Sequence, residues 1–256
     1  MTRTLTLTAL TMVFALAAAC GGGNAPVRQG ANNRDAAIAN VKLGVAYMQR
    51  GELALAKDKL ERAEKQDPRN VEVQTSLAFL MERLNEPDKA EKYYRAAQRL
   101  EPNNAEVANN YAVFLCRGGK TDQAVEMFSK AAGNALYRTP WAALTNAGVC
   151  LRSAKRSQDA VQYLQNALAI RPNYVEAVLE MGDAQLELGH PDVARIVIER
   201  YLTAGAPTPE VLLVGVRAAL ALGDRATADN YARLLRRNHP NSPQTRALPQ
   251  LMPGGT

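Results

Sequence analysis

Polar and apolar positions alternate in two different ways along this chain. Residues 5–19 are almost wholly Leu, Ala, Val, Met, Phe and Thr, with Arg3 the single charge before them. These 15 residues fall short of the roughly 20 that a membrane-spanning helix needs. From residue 37 onward, small and large apolar residues return at fixed offsets among charged ones. Leu43-Gly44, Tyr47, Ala56, Leu60, Ala63 and Pro68 set the motif, and Leu77-Ala78, Ala90, Tyr94, Ala97 and Pro102 repeat it. Tyr111-Ala112, Leu115, Ala124, Phe128 and Ala131 form a third copy, and Ala147-Gly148, Leu151, Ala160, Leu164, Ala167 and Pro172 a fourth. Weaker copies follow at Met181-Gly182, Ala194, Ile198 and Tyr201, and at Ala219, Ala228, Leu235 and Pro240. Between the halves of each copy stand turn sequences such as RGEL (50–53), RGGKTD (117–122) and LGHPD (188–192). Gly or Asn there ends one helix, and Asp, Thr or Pro starts the next.

The period is about 34 residues. Pro68 to Pro102 is 34, Pro140 to Pro172 is 32, Pro172 to Pro207 is 35 and Pro207 to Pro240 is 33. This pattern resembles the tetratricopeptide repeat, a helix–turn–helix unit with small residues at its tight crossings and Pro at its end. The resemblance implies an all-α superhelical solenoid of about six repeats over residues 37–240. One such unit cannot bury its own apolar face, so at least three must stack. The tail 241–256, with three prolines and two glycines, is expected to fray.

The opening segment has the features of a secretory signal over residues 1–19: a positive start, a short apolar run and small residues at its end. Ala17-Ala18-Ala19-Cys20 resembles the bacterial lipobox, although Leu16 stands four places before the cysteine, where that family usually has it three before. The resemblance implies an N-acyl diacylglycerol cysteine at Cys20. The alternative is plain secretion. Burying acyl chains contributes roughly 0.8 kcal/mol per CH₂, so three chains would anchor the protein firmly. Gly21 in place of Asp implies, by resemblance to enteric lipoproteins, sorting to the outer membrane. Residues 20–36 are expected to be a lipidated cysteine and flexible tether. The 13-residue segment 21–33 would reach about 20 Å.

Composition adds one exclusion. The chain has 256 residues and a net charge of +6, or +5 without Arg3. Its basic residues are interleaved with acids, as in KDKLERAEK, so no concentrated basic stripe for nucleic acid exists.

Cys116 and Cys150 stand one repeat apart. First helices of neighbouring repeats lie side by side, so the two thiols can face each other. An exported chain meets an oxidising compartment, and a disulfide there would stabilise by roughly 3–4 kcal/mol in a chain-entropy treatment. Two buried free thiols are the alternative. The surrounding segments, NNYAVFLC and LYRTPWAALTNAGVC, together with the lipobox and the repeats, resemble the type IV pilus biogenesis and stability lipoproteins, the pilotin family. The joint between its third and fourth repeats carries extra residues, since Pro102 to Pro140 is 38. What this resemblance implies is an outer-membrane lipoprotein that binds the pilus secretin and promotes its localisation and multimerisation. A general periplasm-facing scaffold for cell-wall enzymes or outer-membrane assembly is the runner-up.

Candidate chemistry is sparse. Gly118-Gly119-Lys120-Thr121 lacks the glycine at 114 that a phosphate loop requires, since Phe stands there. His190 and His239 each stand beside a proline in a turn, with no metal-spaced partner, and both are expected to be solvated loop residues. No catalytic set, metal or small-molecule substrate is expected. By the repeat family's pattern, positions 2, 5, 9 and 12 of each first helix line a groove. These are Ile38, Val41, Val45 and Met48 in the first repeat; Glu72, Thr75, Phe79 and Glu82 in the second; Glu106, Asn109, Val113 and Cys116 in the third. Asn110 and Asn146 hold position 6, where the family often places Asn to grip an extended peptide. An apolar first-repeat groove open to solvent suits an amphipathic helix or apolar strand of a partner. The alternatives are a cap on the solenoid for the first repeat and local hydrogen bonding for the asparagines. The Lys-bearing clamp positions of chaperone-binding repeats are absent, so no C-terminal carboxylate ligand is expected.

Overall fold

The computed structural model describes residues 26–253, with side chains from residue 32 onward. The expected signal peptide and Cys20 lie outside the described residues. Among those residues there are 13 helices and no strand: α1 (Pro26–Gln49), α2 (Leu53–Gln66), α3 (Val71–Arg83), α4 (Pro87–Leu100), α5 (Ala105–Arg117), α6 (Thr121–Ala132), α7 (Pro140–Ser153), α8 (Ser157–Ile170), α9 (Val175–Glu187), α10 (Pro191–Leu202), α11 (Pro209–Ala221), α12 (Arg225–Asn238) and α13 (Pro243–Leu251). Consecutive helices pack as six pairs, and each second helix up to α10 packs on the first helix of the next repeat. The architecture is the all-α repeat solenoid that the sequence implies.

The boundaries follow from backbone chemistry. Inside every pair one turn residue is left-handed: Gly51, Asn85, Gly119, Lys155, Gly189 and Gly223, with φ between 58° and 79°. Glycine adopts that region freely and Asn tolerates it, whereas Lys155 carries a steric cost. The six positions recur at one constant interval, except that the step from Gly119 to Lys155 is longer by two. The joint between repeats 3 and 4 therefore carries two additional residues. Pro68, Pro102, Pro172 and Pro240 each stand two places beyond the end of a second helix. Each forces the residue before it toward extended dihedrals, as at Asp67 (φ −145°, ψ 80°). Asn70 and Asn104 then start α3 and α5, their side-chain oxygens accepting two backbone N–H groups each.

The small residues sit where helices cross. Ala56, Ala90, Ala124, Ala160, Ala194 and Ala228 are wholly buried, as are Leu60, Tyr94, Leu164 and Ile198 that fill the space beside them. At Gly148 a Cβ would stand 2.6 Å from Leu164 Cγ, so only glycine permits this approach. The core crosses repeat boundaries: one cluster joins Ala78 and Tyr94 of the second repeat to Phe128 of the third and Cys150 of the fourth. Each repeat thus buries its apolar face on its neighbour.

Two expectations are corrected at the ends. The sequence places a tether through residue 36, yet α1 already begins at Pro26 and runs unbroken into the first repeat. Nothing between 27 and 37 breaks it beyond Gly30, and Ala36 and Ala37 favour helix. The tail does not fray as a whole. Ser242 caps α13 by accepting from Thr245 N at 3.1 Å, and Pro243 occupies its first turn. Leu248 and Met252, one helical turn apart, are buried against Leu212, Val216 and Leu235. The last repeat would otherwise expose that apolar surface.

Candidate functional site

The first helices α1, α3, α5, α7, α9 and α11 follow one another along one face of the solenoid. The four apolar positions of α1 do not share one environment there. Val41 and Met48 are only 6% and 7% exposed and pack with Val73, Leu77, Leu80 and Met81. They are core residues, and the expectation of a fully open apolar groove is corrected for them, because α3 covers that side of α1. Ile38 and Val45 are half-buried and keep an accessible edge.

A cleft of about 200 Å³ opens between α1, α3 and α5, lined by the edge of Val41, by Thr75 and Val107, and by Glu72, Glu106 and Asn110. Thr75 Oγ1 donates to Val71 O of its own helix at 2.8 Å, which leaves its methyl for the cleft. Phe79 is partly exposed, its ring nearly perpendicular to that of buried Tyr94, at 5.9 Å and 82°. Tyr94 stacks in turn on Tyr111 at 5.6 Å and donates its hydroxyl to Glu82 at 2.6 Å. Burial, and then that bond to Glu82, push the Tyr94 hydroxyl far above the usual tyrosine range. Arg117 also pairs with Glu82, at 3.1 Å, so this groove position is spoken for.

In the third repeat, Asn109 and Val113 are half-buried. Asn146 Nδ2 donates to Asn109 Oδ1 at 3.1 Å, whereas Asn110, which lines the cleft, has no side-chain partner among the described residues. The two asparagines at position 6 therefore differ: Asn110 is free to meet a ligand, and Asn146 is tied across the repeat boundary. Cys116 and Cys150 form a disulfide between α5 and α7, with their Cα atoms 5.7 Å apart.

Beyond the disulfide the face is charged, which sequence reasoning missed. Arg152 reaches Glu180 and Asp183 at 3.2 Å each, and Arg217 reaches Asp183 at 2.5 Å. The signal was present: Asp183 and Arg217 are one repeat apart in the sequence, so they stand at one height on neighbouring helices. Burial raises the Glu180 carboxyl above its ordinary value despite the nearby Arg152. At the turn of repeats 2 and 3, Lys120 Nζ bonds Glu91 at 2.8 Å and, with Arg95, holds that carboxyl below its ordinary value. This is the role of the lysine in the Gly-Gly-Lys-Thr segment. The histidines also have partners: a His190 ring nitrogen lies 3.1 Å from Gln185 Oε1, and half-buried His239 has Nε2 2.8 Å from Pro207 O. His190 is an exposed turn residue, as expected, whereas the expectation of a solvated ring is corrected for half-buried His239, which ties its turn to the loop at Pro207. Among the described residues no group of three His, Cys, Asp or Glu is placed to hold a metal ion.

Comparison with known proteins agrees with this geometry. Tetratricopeptide repeat family models match residues 28–71, 71–114, 115–175 and 151–214. The type IV pilus assembly protein PilF of Pseudomonas aeruginosa is 28% identical over 221 residues, 86% of this chain and 88% of that protein. The crystal structure of PilW, described as a widely conserved type IV pilus biogenesis factor, superposes with a TM-score of 0.69 at 28% identity, covering 83% of this chain and 97% of that one. YrrB, a tetratricopeptide protein with an unusual peptide-binding site, shares the fold at TM-score 0.55 and 17% identity, covering 75% of this chain and 97% of its own. The repeats, their turns and these matches together show that this chain belongs to the tetratricopeptide repeat family and is a homologue of PilF and PilW.

Proposed function

We propose that this protein is a non-enzymatic pilotin of type IV pilus biogenesis: a scaffold that binds secretin subunits and promotes their localisation to the outer membrane and their multimerisation. The single observation that carries this reading is its similarity to PilF along 86% of its length, paired with a superposition on PilW over 97% of that structure. A homologue that shares only the fold would not maintain both coverage and identity at that level. The groove supplies the means. Ile38, Val45 and Phe79 offer apolar edges, and Asn110 offers an amide to an extended backbone. Binding of this kind needs no reactive group, only apolar burial and a few directed hydrogen bonds.

In this reading the lipid on Cys20 is the device that carries cargo to the membrane. Cys20→Ser would release the protein from membranes and reduce piliation, and normal membrane retention would overturn the lipid-anchor reading. The decisive experiment is deletion of the gene, followed by denaturing gels of unheated outer-membrane extracts probed for the pilus secretin. Loss of the high-mass multimer, accumulation of monomer and rescue by the wild-type gene are expected. An unchanged multimer would overturn the pilotin reading and leave a scaffold for some other envelope assembly.

A further inference from the structure

The segment between α6 and α7 has a property that groove binding does not use. Leu136 is 90% exposed, far above every other large apolar side chain of the described residues. A leucine in that state normally collapses onto its surroundings. Here the turn holds it out: Asn134 Oδ1 accepts from Leu136 N at 2.9 Å, Asn134 O accepts from Tyr137 N at 2.9 Å, and Asn134 Nδ2 donates to Asn103 O at 2.6 Å. Those bonds fix the turn to the preceding repeat boundary, so little ordering entropy remains to be lost when a partner docks on it. Beside the leucine is a cleft of about 430 Å³, whose walls include Pro102, Ala105 and Lys130.

Along the chain, the segment that carries this knob has charge of one sign. Residues 127–158 contain five basic side chains and no Asp or Glu. Arg152 and Arg156 are committed to carboxylates. Lys130 and Arg138, both exposed on either side of Leu136, have no carboxylate partner among the described residues. Arg171 lies 4.9 Å over the Trp141 ring and 5.6 Å over the Tyr174 ring, also without a carboxylate. Solvated cations around exposed apolar and aromatic groups match the Trp, Tyr and Arg composition of energetic centres in protein interfaces.

We propose that the joint of repeats 3 and 4 is a second docking surface, taking a protein segment in which acidic side chains flank an apolar one. Leu136 and the adjoining cleft meet the apolar side chain, and Lys130 and Arg138 meet the carboxylates. This surface lies apart from the cleft between α1, α3 and α5, so a partner held at both gains from linking two modest contacts. The inference rests on the secretin reading for the partner's identity.

The test uses the full-length lipidated protein in detergent and the purified periplasmic region of the pilus secretin, with affinity followed by fluorescence of Trp141, the single tryptophan. Leu136→Asp and Arg138→Glu are each expected to weaken binding by roughly tenfold or more, and Leu136→Met to leave it within about twofold. Thermal unfolding should be unchanged in all three, because neither side chain is packed. Added salt should weaken wild type more than Arg138→Glu. Wild-type affinity in Leu136→Asp overturns this inference alone. No secretin binding by wild type overturns the secretin reading and this inference with it. Loss in Leu136→Asp, made in the unlipidated Cys20→Ser protein, of binding to phosphatidylglycerol vesicles, with secretin binding intact, assigns the surface to membrane and also overturns the proposal.

Discussion

Asn146 Nδ2 donates to Asn109 Oδ1 at 3.1 Å and so joins α7 to α5 across the widest repeat spacing in the chain. Together with the Cys116–Cys150 disulfide it fastens the two helices at two heights. A joint with two additional residues would otherwise be the place where successive repeats could pivot.

Removing one asparagine leaves the other half-buried without its partner. Asn109→Ala and Asn146→Ala should each cost about 1 kcal/mol. The double variant should cost less than the sum, because the second change removes a group already unpaired. Denaturant unfolding of the four proteins measures the coupling, and strict additivity would show that the bond contributes nothing.

The disulfide closes a long loop, and Cys150 is 1% exposed. Cys116→Ser with Cys150→Ser should lower stability by about 3–4 kcal/mol. Amide exchange should rise first in α5 and α7, with α11 and α12 little changed. Exchange that rises evenly along the solenoid would contradict a local clamp.

Gly148 has no room for a methyl group, since its Cβ would stand 2.6 Å from Leu164 Cγ. Gly148→Ala should destabilise by about 1–3 kcal/mol through overpacking. The same register position is Ala78 or Ala112 in repeats whose facing residue is Tyr94 or Phe128, so shape and not helix propensity sets the penalty. A stabilised Gly148→Ala would reverse that conclusion.

Charging the first repeat separates groove from core. Val45→Asp should weaken secretin binding while leaving the thermal midpoint close to wild type, as Val45 keeps a solvent edge. Val41→Asp should unfold the N-terminal repeat, because it would bury a carboxylate among Val73, Leu77 and Met81. Circular dichroism and binding measured on both variants check this, and a folded Val41→Asp would place that side chain in the open groove after all.

Glu180 makes stability depend on pH in a specific direction. Burial raises its folded carboxyl above the ordinary value. Between the unfolded and folded pKa the native state holds the extra proton, so this contribution is present at low pH and lost as pH rises through the folded pKa. Glu180→Gln removes that loss. Its midpoint should exceed wild type at neutral pH, and the difference should vanish in the acid range. A variant less stable than wild type at neutral pH would mean that pairing with Arg152 outweighs burial.

Much of the fold is legible in local sequence. Small residues at the crossings, left-handed turn positions and prolines beyond the second helices are each required by backbone or steric chemistry, so they recur wherever the unit recurs. The extra residues between Phe128 and Pro140 are visible as a lapse in that period. The groove was less legible. Ile38, Val41, Val45 and Met48 form one apolar stripe in sequence, but whether an apolar stripe meets solvent or a neighbour depends on the angle between repeats.

By itself, the sequence determined the repeat, its helices, their turns and the position of the broken register, because these rest on interactions within about one repeat length. Only the tertiary structure decided that Val41 and Met48 are covered, that Leu248 and Met252 order the tail, and that Asn146 pairs with Asn109 while Asn110 stays open. It also decided that Leu136 stands out in solvent beside unpaired cations. Periodicity tells which side of a helix is apolar or polar. What lies opposite that side is settled by packing between repeats, where summed contacts outweigh local preference.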